Sequence, residues 1–197
     1  MSLQDTVTKQ YVSDPKVFAD AFNYLIYNGE QVIRPEQLTD LDATQFAIPY
    51  REDDEGKPEA TQKYRDVLKT LAVKTDEYCT YLVLGIENQS NVHYAMPVRN
   101  MLYDAMQYEK QVRQLAAAHR KKHDAATSDE YLSGMSREDK ITPVITLVIN
   151  FGSKRWDGPL SLHEMMSEHP TEVRAFIQDY KVFLIDPMAM TDTDLEH

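Results

Sequence analysis

The sequence predicts an α/β sandwich, in which helices flank a central mixed sheet. Three observations lead to this class. Apolar residues recur at helical intervals near the N-terminus and again, over a longer stretch, from about Pro97 to His119. Residues 64–89 contain two apolar runs joined by a polar turn at 74–77, which is typical of two paired strands. Residues 142–151 are apolar on both faces and rich in β-branched side chains, as expected for a central strand.

The first predicted helix begins at Ser13-Asp14-Pro15, where a capping side chain precedes a proline in the first turn. Its apolar positions keep helical spacing to Ile26, and Asn28-Gly29 is a typical stop. The segments that follow are predicted to be an irregular connection (31–42), a strand near a sheet edge (44–50) and a polar, mobile loop (51–61).

The long helix is followed by segments with weaker patterns. Helical spacing is lost by Asp124, so 124–140 is predicted to be a surface excursion. Beyond the central strand we predict a loop that holds Trp156 (152–159), two short helices (160–167 and 172–179) and a last strand (180–186).

The length and composition fit one domain. A chain of 197 residues can form one full core, and we place the domain at 1–194 with its core at 13–186. The single cysteine, Cys79, excludes an internal disulfide framework. No apolar run reaches the roughly 20 residues that span a bilayer, and the N-terminus lacks a signal-peptide pattern. We therefore expect a cytoplasmic protein that does not enter a membrane.

The charge is acidic overall but unevenly distributed. A net charge of -11 opposes a role as a general nucleic-acid binder, because affinity for phosphate rests on Lys and Arg. From 110 to 123 the balance is reversed, with basic residues at Lys110, Arg113, Arg120, Lys121 and Lys122. Such a stretch is usually a solvated helix face, but in a nuclease it is the natural surface for contacting phosphates.

Three side chains on the paired strands have the chemistry of a metal site. Asp66 lies in the first apolar run, where an unpaired carboxylate is costly to bury unless a cation meets it. Glu87 closes the second run, and Gln89 leaves the same face of that strand because side chains alternate. Oxygen ligands of this kind suit Mg²⁺ or Mn²⁺ better than zinc. The alternative for each carboxylate alone is structural, at a point where a strand surfaces.

The histidines are weaker candidates. His93 precedes the long helix and is interpreted as a surface-loop residue, although it could approach a phosphate. His119 and His123 are four residues apart, a spacing that can bind a metal, but we place them at a solvated basic helix end. His163 has no second histidine four residues later, so it does not form a zinc-protease helix.

The motifs resemble those of the Rpn family of recombination-promoting nucleases, a group also named as transposases. The resemblance rests on D-V-L on one strand, G-I-E-N-Q on the next, H-Y-A-M-P-V-R-N-M-L-Y at the long helix, and P-V-I-T-L-V-I and K-R-W-D-G-P-L-S-L-H-E-M after it. It covers residues 13–186 and is strongest toward a clostridial, gut-bacterial branch. The family is placed in the PD-(D/E)XK nuclease superfamily, which implies a restriction-endonuclease-like αβββαβ core and a metal-dependent phosphodiesterase.

The resemblance also implies roles for individual residues of the metal site. Asp66 and Glu87 match the two metal-binding acids, and Gln89 stands where most superfamily members carry lysine. An amide can orient the attacking water, but it stabilises developing charge less well than lysine. Asp20 on the first helix is a further candidate acid, since a first-helix acid serves this purpose in many superfamily members.

The implied substrate contacts lie on the long helix. Arg99 and Tyr103 match the family's R-x-x-x-Y, and we predict that they contact phosphate; a structural salt bridge is the alternative for Arg99. Lys110 and Arg113 extend this predicted DNA-binding surface along the basic stretch.

These features predict a DNA endonuclease that depends on Mg²⁺ or Mn²⁺ and acts in recombination or transposition. Two alternatives stay open: a catalytically inactive binding or assembly module, favoured by the acidic balance and the missing lysine, and a nuclease that acts on RNA. The assembly state is open as well, with a homodimer among the options. Family members usually continue past the point where this chain ends, so we expect this sequence to lack a C-terminal segment of the native protein. Residues 195–197 resemble the start of a purification tag.

Overall fold

A computed structural model describes residues 3–41, 44–46, 51–52, 58–59, 62–64, 67–74, 79–168 and 170–190; at some strand positions, Glu87 among them, it describes the backbone alone. The helices are α1 (Leu3–Ser13), α2 (Pro15–Tyr27), α3 (Met96–Lys122), α4 (Ser128–Ser133) and α5 (Thr171–Arg174), with 3-10 turns at Pro35–Gln37 and His163–Met165. The strands are β1 (Leu38–Asp40), β2 (Thr44–Phe46), β3 (Arg51–Glu52), β4 (Pro58–Glu59), β5 (Gln62–Tyr64), β6 (Val67–Lys74), β7 (Cys79–Gln89), β8 (Val144–Asn150) and β9 (Phe183–Ile185).

A five-stranded mixed sheet organises the fold, in the order β1-β6-β7-β8-β9. The neighbours β1 and β6, and β6 and β7, are antiparallel, whereas β8 runs parallel to both β7 and β9. The connection from β7 to β8 passes through α3, because parallel neighbours need a long crossover. The predicted α/β class, the paired strands and the inner position of β8 are confirmed.

Two smaller ladders lie outside this sheet: β2 pairs with β5, and β3 pairs with β4. Within the described ranges, no helix has both the length and the apolar character needed to cross a bilayer.

The N-terminal helices cover one face of the sheet. The side chain of Asp14 caps α2 by accepting a hydrogen bond from the backbone N–H of Lys16 at 2.8 Å, and Asn28 ends the helix in the left-handed region with φ 51°. The predicted start and stop of this helix are therefore confirmed. Its apolar stripe joins a buried cluster that consists of Val12, Phe18, Ala19, Phe22, Ile33, Val67, Ile86, Leu147 and Ile149.

The opposite face carries a second, smaller cluster and the helix α3. Buried Met96, Val148, Trp156 and Val182 form this cluster. Consecutive residues of β8 contribute to different clusters, Leu147 to the first and Val148 to the second, because side chains alternate along a strand. The sheet thus separates the α2 side of the molecule from the α3 side.

Two N-terminal expectations are corrected. The helix α1 was not predicted, because its sequence has few apolar positions in helical register; Val12, near its end, is fully buried. The segment 31–42 is not irregular throughout, since it contains β1, whose Leu38 pairs with Leu71 of β6. A three-residue strand is specified by its partner rather than by its own pattern.

Loops and short elements account for the remaining differences. The predicted loop 51–61 contains the short strands β3 and β4. Residues 53–57 of that loop lie outside the described residues, and so do most of the predicted turn at 74–77 and the end of the predicted strand 44–50. The excursion 124–140 contains α4, which ends at Gly134. The helices predicted at 160–167 and 172–179 are a 3-10 turn and the four-residue α5, and the last strand is shortened to β9.

Candidate functional site

One rung of the β6–β7 ladder joins the chain neighbours of the two predicted metal-binding acids. Val67, which follows Asp66 in the chain, pairs with Ile86, which precedes Glu87. Asp66 itself lies outside the described residues. The backbone of Glu87 is described: it pairs with Val148 of β8, whose side chain belongs to the second cluster.

Gln89 is the last residue of β7 and is 8% exposed. Its backbone pairs with Asn150, and its carbonyl accepts a hydrogen bond from the N–H of Phe151 at 2.8 Å. The chain is tightly packed just beyond the end of β7, as a Cβ atom added at Gly152 shows: it would lie 2.9 Å from the carbonyl oxygen of Ser90. The buried amide of Gln89 is therefore held at the end of a rigid strand rather than in a loop.

Arg99 and Tyr103 contact each other on the first turns of α3. The Arg99 Nε–H donates to the Tyr103 hydroxyl at 3.2 Å, and the guanidinium carbon lies 5.5 Å from the centre of the Tyr103 ring. Tyr103 is buried and Arg99 half-buried. This contact fixes the direction of the guanidinium, so the R-x-x-x-Y spacing has a structural purpose; phosphate binding by the pair stays a prediction.

His93 lies in the loop before α3, as interpreted, but it is less exposed than a surface residue. The residue is half-buried, and its Nδ1 atom is buried with no hydrogen-bond partner in the described part of the chain. Burial, and then the positive charge of Arg99, lower the pKa of His93, so the imidazole is neutral at neutral pH. A neutral imidazole nitrogen can accept a proton or a hydrogen bond.

The face of α3 that packs on β8 is unusually polar. Asn100, Asp104 and Gln107 are all buried, and the carboxyl group of Asp104 accepts hydrogen bonds from the hydroxyls of Thr146, at 2.6 Å, and Tyr180. The Oδ1 of Asn100 and the Nε2 of Gln107 are buried and have no partner among the described residues. Sequence reasoning missed these residues, although their helical spacing with the buried Met96 was a usable signal.

A second polar network closes the end of β8. Asn150 donates from Nδ2 to the Asp186 carboxyl at 3.1 Å and to the Lys154 carbonyl at 2.8 Å. Asp186 also accepts from the backbone N–H of Trp156 at 2.7 Å. These bonds attach the loop after β8 to the residue that follows β9, and so hold Trp156 over the second cluster.

Asp20 is not brought near α3. It is exposed on α2, on the far side of the sheet, where its Oδ1 accepts a hydrogen bond from the Gln31 amide at 3.0 Å. Its role as a further acid of the site stays a prediction.

The basic stretch of α3 is partly engaged in ion pairs. Lys110 and Arg113 are exposed, and Arg113 pairs with Glu109 one turn earlier. His119 is not simply solvated: its Nδ1 lies 2.7 Å from Asp124 and its Nε2 lies 2.9 Å from Asp139. Hydrogen bonds to Asp124 and then to Asp139 raise the pKa of His119.

In the portion of the chain that the structure describes, no group of three or more His, Cys, Asp or Glu side chains could hold an ion. Asp66 and the side chain of Glu87 lie outside that portion. The donor types fit a hard divalent cation, since carboxylate and amide oxygens are the ligands that Mg²⁺ and Mn²⁺ prefer.

Comparison with known proteins identifies one family. The family model described as "Putative transposase, YhgA-like" matches residues 58–197, more than two thirds of the chain. The match includes the β6–β7 hairpin, α3 and β8 but not α1 or α2. No curated protein and no solved structure matches the chain.

Proposed function

The chain belongs to the YhgA-like transposase family, and on that premise we propose that it is a metal-dependent DNA endonuclease of the Rpn, PD-(D/E)XK type. Membership is consistent with a role in transposition and with an interaction with DNA. The proposal adds the reaction, hydrolysis of a phosphodiester bond, and the dependence on Mg²⁺ or Mn²⁺.

The ladder between β6 and β7 carries the proposal. The chain neighbours of Asp66 and Glu87, Val67 and Ile86, are paired residues. We infer that the two acids share a single cation, which offsets the cost of placing carboxylates in a sheet. Without the two small ladders of β2 to β5, the order α2, β1, β6, β7, α3, β8 also supports the assignment, since it matches the αβββαβ order of the superfamily core.

In this proposal each residue has a distinct task. Asp66 and Glu87 would hold the cation, which when bound supplies charge to the scissile phosphate and lowers the pKa of a water. Gln89, buried at the strand end, orients that water through its amide. Arg99, directed by its hydrogen bond to Tyr103, binds the substrate phosphate.

Lys110 and Arg113 would bind the DNA backbone further along α3. Both are exposed, and the ion pair of Arg113 with Glu109 lies on the surface, where such pairs contribute about 0–1 kcal/mol and exchange readily for phosphate. Their contribution to DNA affinity should therefore fall as the salt concentration rises.

A catalytically inactive scaffold is the second candidate, and one observation favours it. Lys69, three residues after Asp66 in the chain, is 2% exposed, forms an ion pair with Asp40 and lies 5.5 Å from the ring of Phe18. Its side chain lies on the α2 side of the sheet, so Lys69 does not substitute for the lysine that most superfamily members carry at the position of Gln89.

Cleavage assays separate these candidates. Wild type, Asp66→Asn and Glu172→Gln, an exposed acid on α5 that serves as the control, are incubated with supercoiled DNA or RNA and Mn²⁺. We expect wild type and Glu172→Gln to cut DNA and Asp66→Asn to be at least about 100-fold slower, the scale of losing one electrostatic group. Cleavage of RNA alone supports the RNA alternative, and no cleavage by folded wild type supports the scaffold.

A further inference from the structure

We propose that Asn100 supplies an additional oxygen ligand, through Oδ1, to the divalent cation that the proposed nuclease site would hold. The inference rests on the proposed function, which assigns the cation to Asp66 and Glu87, and adds a residue on a different element, α3.

The first observation is an unpaired acceptor. Asn100 is 1% exposed, and its Oδ1 is buried with no hydrogen-bond partner in the described ranges. Buried polar atoms in native proteins are nearly always paired, so an exception calls for a ligand, an ion or a water that satisfies it. A carboxamide oxygen in this condition is a preformed hard donor.

The second observation is where α3 holds this oxygen. One turn before Asn100, Met96 belongs to the buried cluster that contains Val148. One turn after it, Asp104 accepts a hydrogen bond from Thr146 at 2.6 Å. Residues four apart lie on the same side of a helix, so Asn100 is on the side of α3 that is directed toward β8.

That part of β8 lies beside the proposed site. Val148 is the partner of Glu87 in the parallel β7–β8 ladder. The unpaired oxygen therefore lies on the face of the sheet that carries the Val148 side chain, and Val148 is the neighbour of Glu87 in the ladder. Neighbouring strands are about 4.8 Å apart, a distance that a side chain from a covering helix can bridge.

The other unpaired atoms in this region fit a cation less well. The atom left unpaired on Gln107 is Nε2, whose hydrogens a cation repels. The Nδ1 of His93 can accept, but Arg99 already places positive charge beside that imidazole. Of the three, Asn100 offers the oxygen that Mg²⁺ and Mn²⁺ prefer.

The test measures metal binding without catalysis. Thermal unfolding of the full chain is followed in EDTA and in rising MnCl₂, since an ion that binds only the folded state raises Tm with its concentration. Trp156, the single tryptophan, is buried in the cluster beneath α3 and reports unfolding by fluorescence. Four variants are compared with wild type: Asn100→Leu, Asn100→Asp, Gln107→Leu and Glu87→Ala.

We expect Mn²⁺ to raise the Tm of wild type and of Gln107→Leu equally. Gln107→Leu is the matched control, because it removes a buried unpaired amide two turns further along the same face of α3. Asn100→Leu should need at least about 10-fold more Mn²⁺ for the same shift, the loss typical of removing one group from a metal site. Asn100→Asp should be less stable in EDTA and gain more from Mn²⁺, because the ion neutralises the added buried charge.

The outcomes separate this inference from the proposed function. If Asn100→Leu keeps the wild-type response while Glu87→Ala loses it, the role of Asn100 is refuted and the nuclease site stands. If wild type does not respond to Mn²⁺, both fail. If Asn100→Leu does not fold, Asn100→Asp decides: a Tm gain no larger than that of wild type overturns the inference.

Discussion

Replacing Thr146 with valine removes one hydrogen bond that holds α3 on the sheet while keeping the shape of the side chain. The Thr146 hydroxyl donates to the Asp104 carboxyl at 2.6 Å, and both residues are at least 95% buried. Water cannot take the place of the lost donor at such a depth. The Asp104 carboxyl keeps its bond from Tyr180, so the substitution removes a single interaction.

The expected loss follows from the burial and from the charge that a carboxyl group can carry. A hydrogen bond to a charged group contributes about 1.5–3 kcal/mol to stability. A central value of about 2 kcal/mol lowers Tm by about 4–8 °C in a protein of this size. Tyr180→Phe removes a second donor to Asp104 and should cost a similar amount. The double variant should lose a different amount from the sum, because the two hydroxyls share one acceptor.

Urea unfolding followed by Trp156 fluorescence measures this loss directly. Thr142→Val is the matched control, since Thr142 bonds to Gln111 through its backbone, at 2.6 and 3.0 Å, and valine retains those bonds. We expect the control to stay within about 0.5 kcal/mol of wild type. A Thr146→Val midpoint that equals that of the control would refute the view that Asp104 anchors α3.

Two further predictions concern the segment that follows α3. The folded-state pKa of His119 is raised, first by Asp124 and second by Asp139. The contribution of His119 to stability is therefore complete below its unfolded pKa near 6.5 and is lost as pH rises through the higher folded value. His119→Gln should lower the urea midpoint more at pH 6 than at pH 9, and an equal effect at both pH values would contradict this. Gly134→Ala should be destabilising by at least about 1 kcal/mol, because φ is +72° and the new Cβ would lie 2.5 Å from the Cβ of Ala116. Adding Ala116→Gly should recover only the part of this loss that comes from the steric clash. An unchanged Tm for Gly134→Ala would contradict the close packing of Gly134 against Ala116.

The parts of the fold that sequence predicted are those with a local cause. The strand β8 and the hairpin of β6 and β7 have apolar runs that leave few other choices, and the cap at Asp14 with Pro15 specifies where α2 begins. Those features depend on residues within one element or on its nearest neighbour along the chain. Asp66, Glu87 and Gln89 were singled out because carboxylates and amides are unexpected within or at the end of such strands, and their role as a site stays a prediction.

The parts that sequence missed depend on partners distant in the chain. Lys69 resembles a solvated residue, yet it is buried because β1 places Asp40 opposite it. In the sequence Asn100 and His93 resemble surface polar residues, and only the packing of α3 on β8 shows that they have buried polar atoms. His119 is hydrogen-bonded to Asp124 and Asp139, which lie near the two ends of the segment 124–140. Helical spacing alone cannot predict this arrangement.

Cleavage of supercoiled plasmid DNA by wild type and Glu87→Ala, each with Mn²⁺ and with EDTA, tests the central claim most directly. The claim predicts that wild type nicks the plasmid only with Mn²⁺ and that Glu87→Ala, shown to be folded by its Trp156 fluorescence, does not. Equal nicking by the two proteins, or nicking by wild type in EDTA, would contradict a metal-dependent nuclease site built on β7.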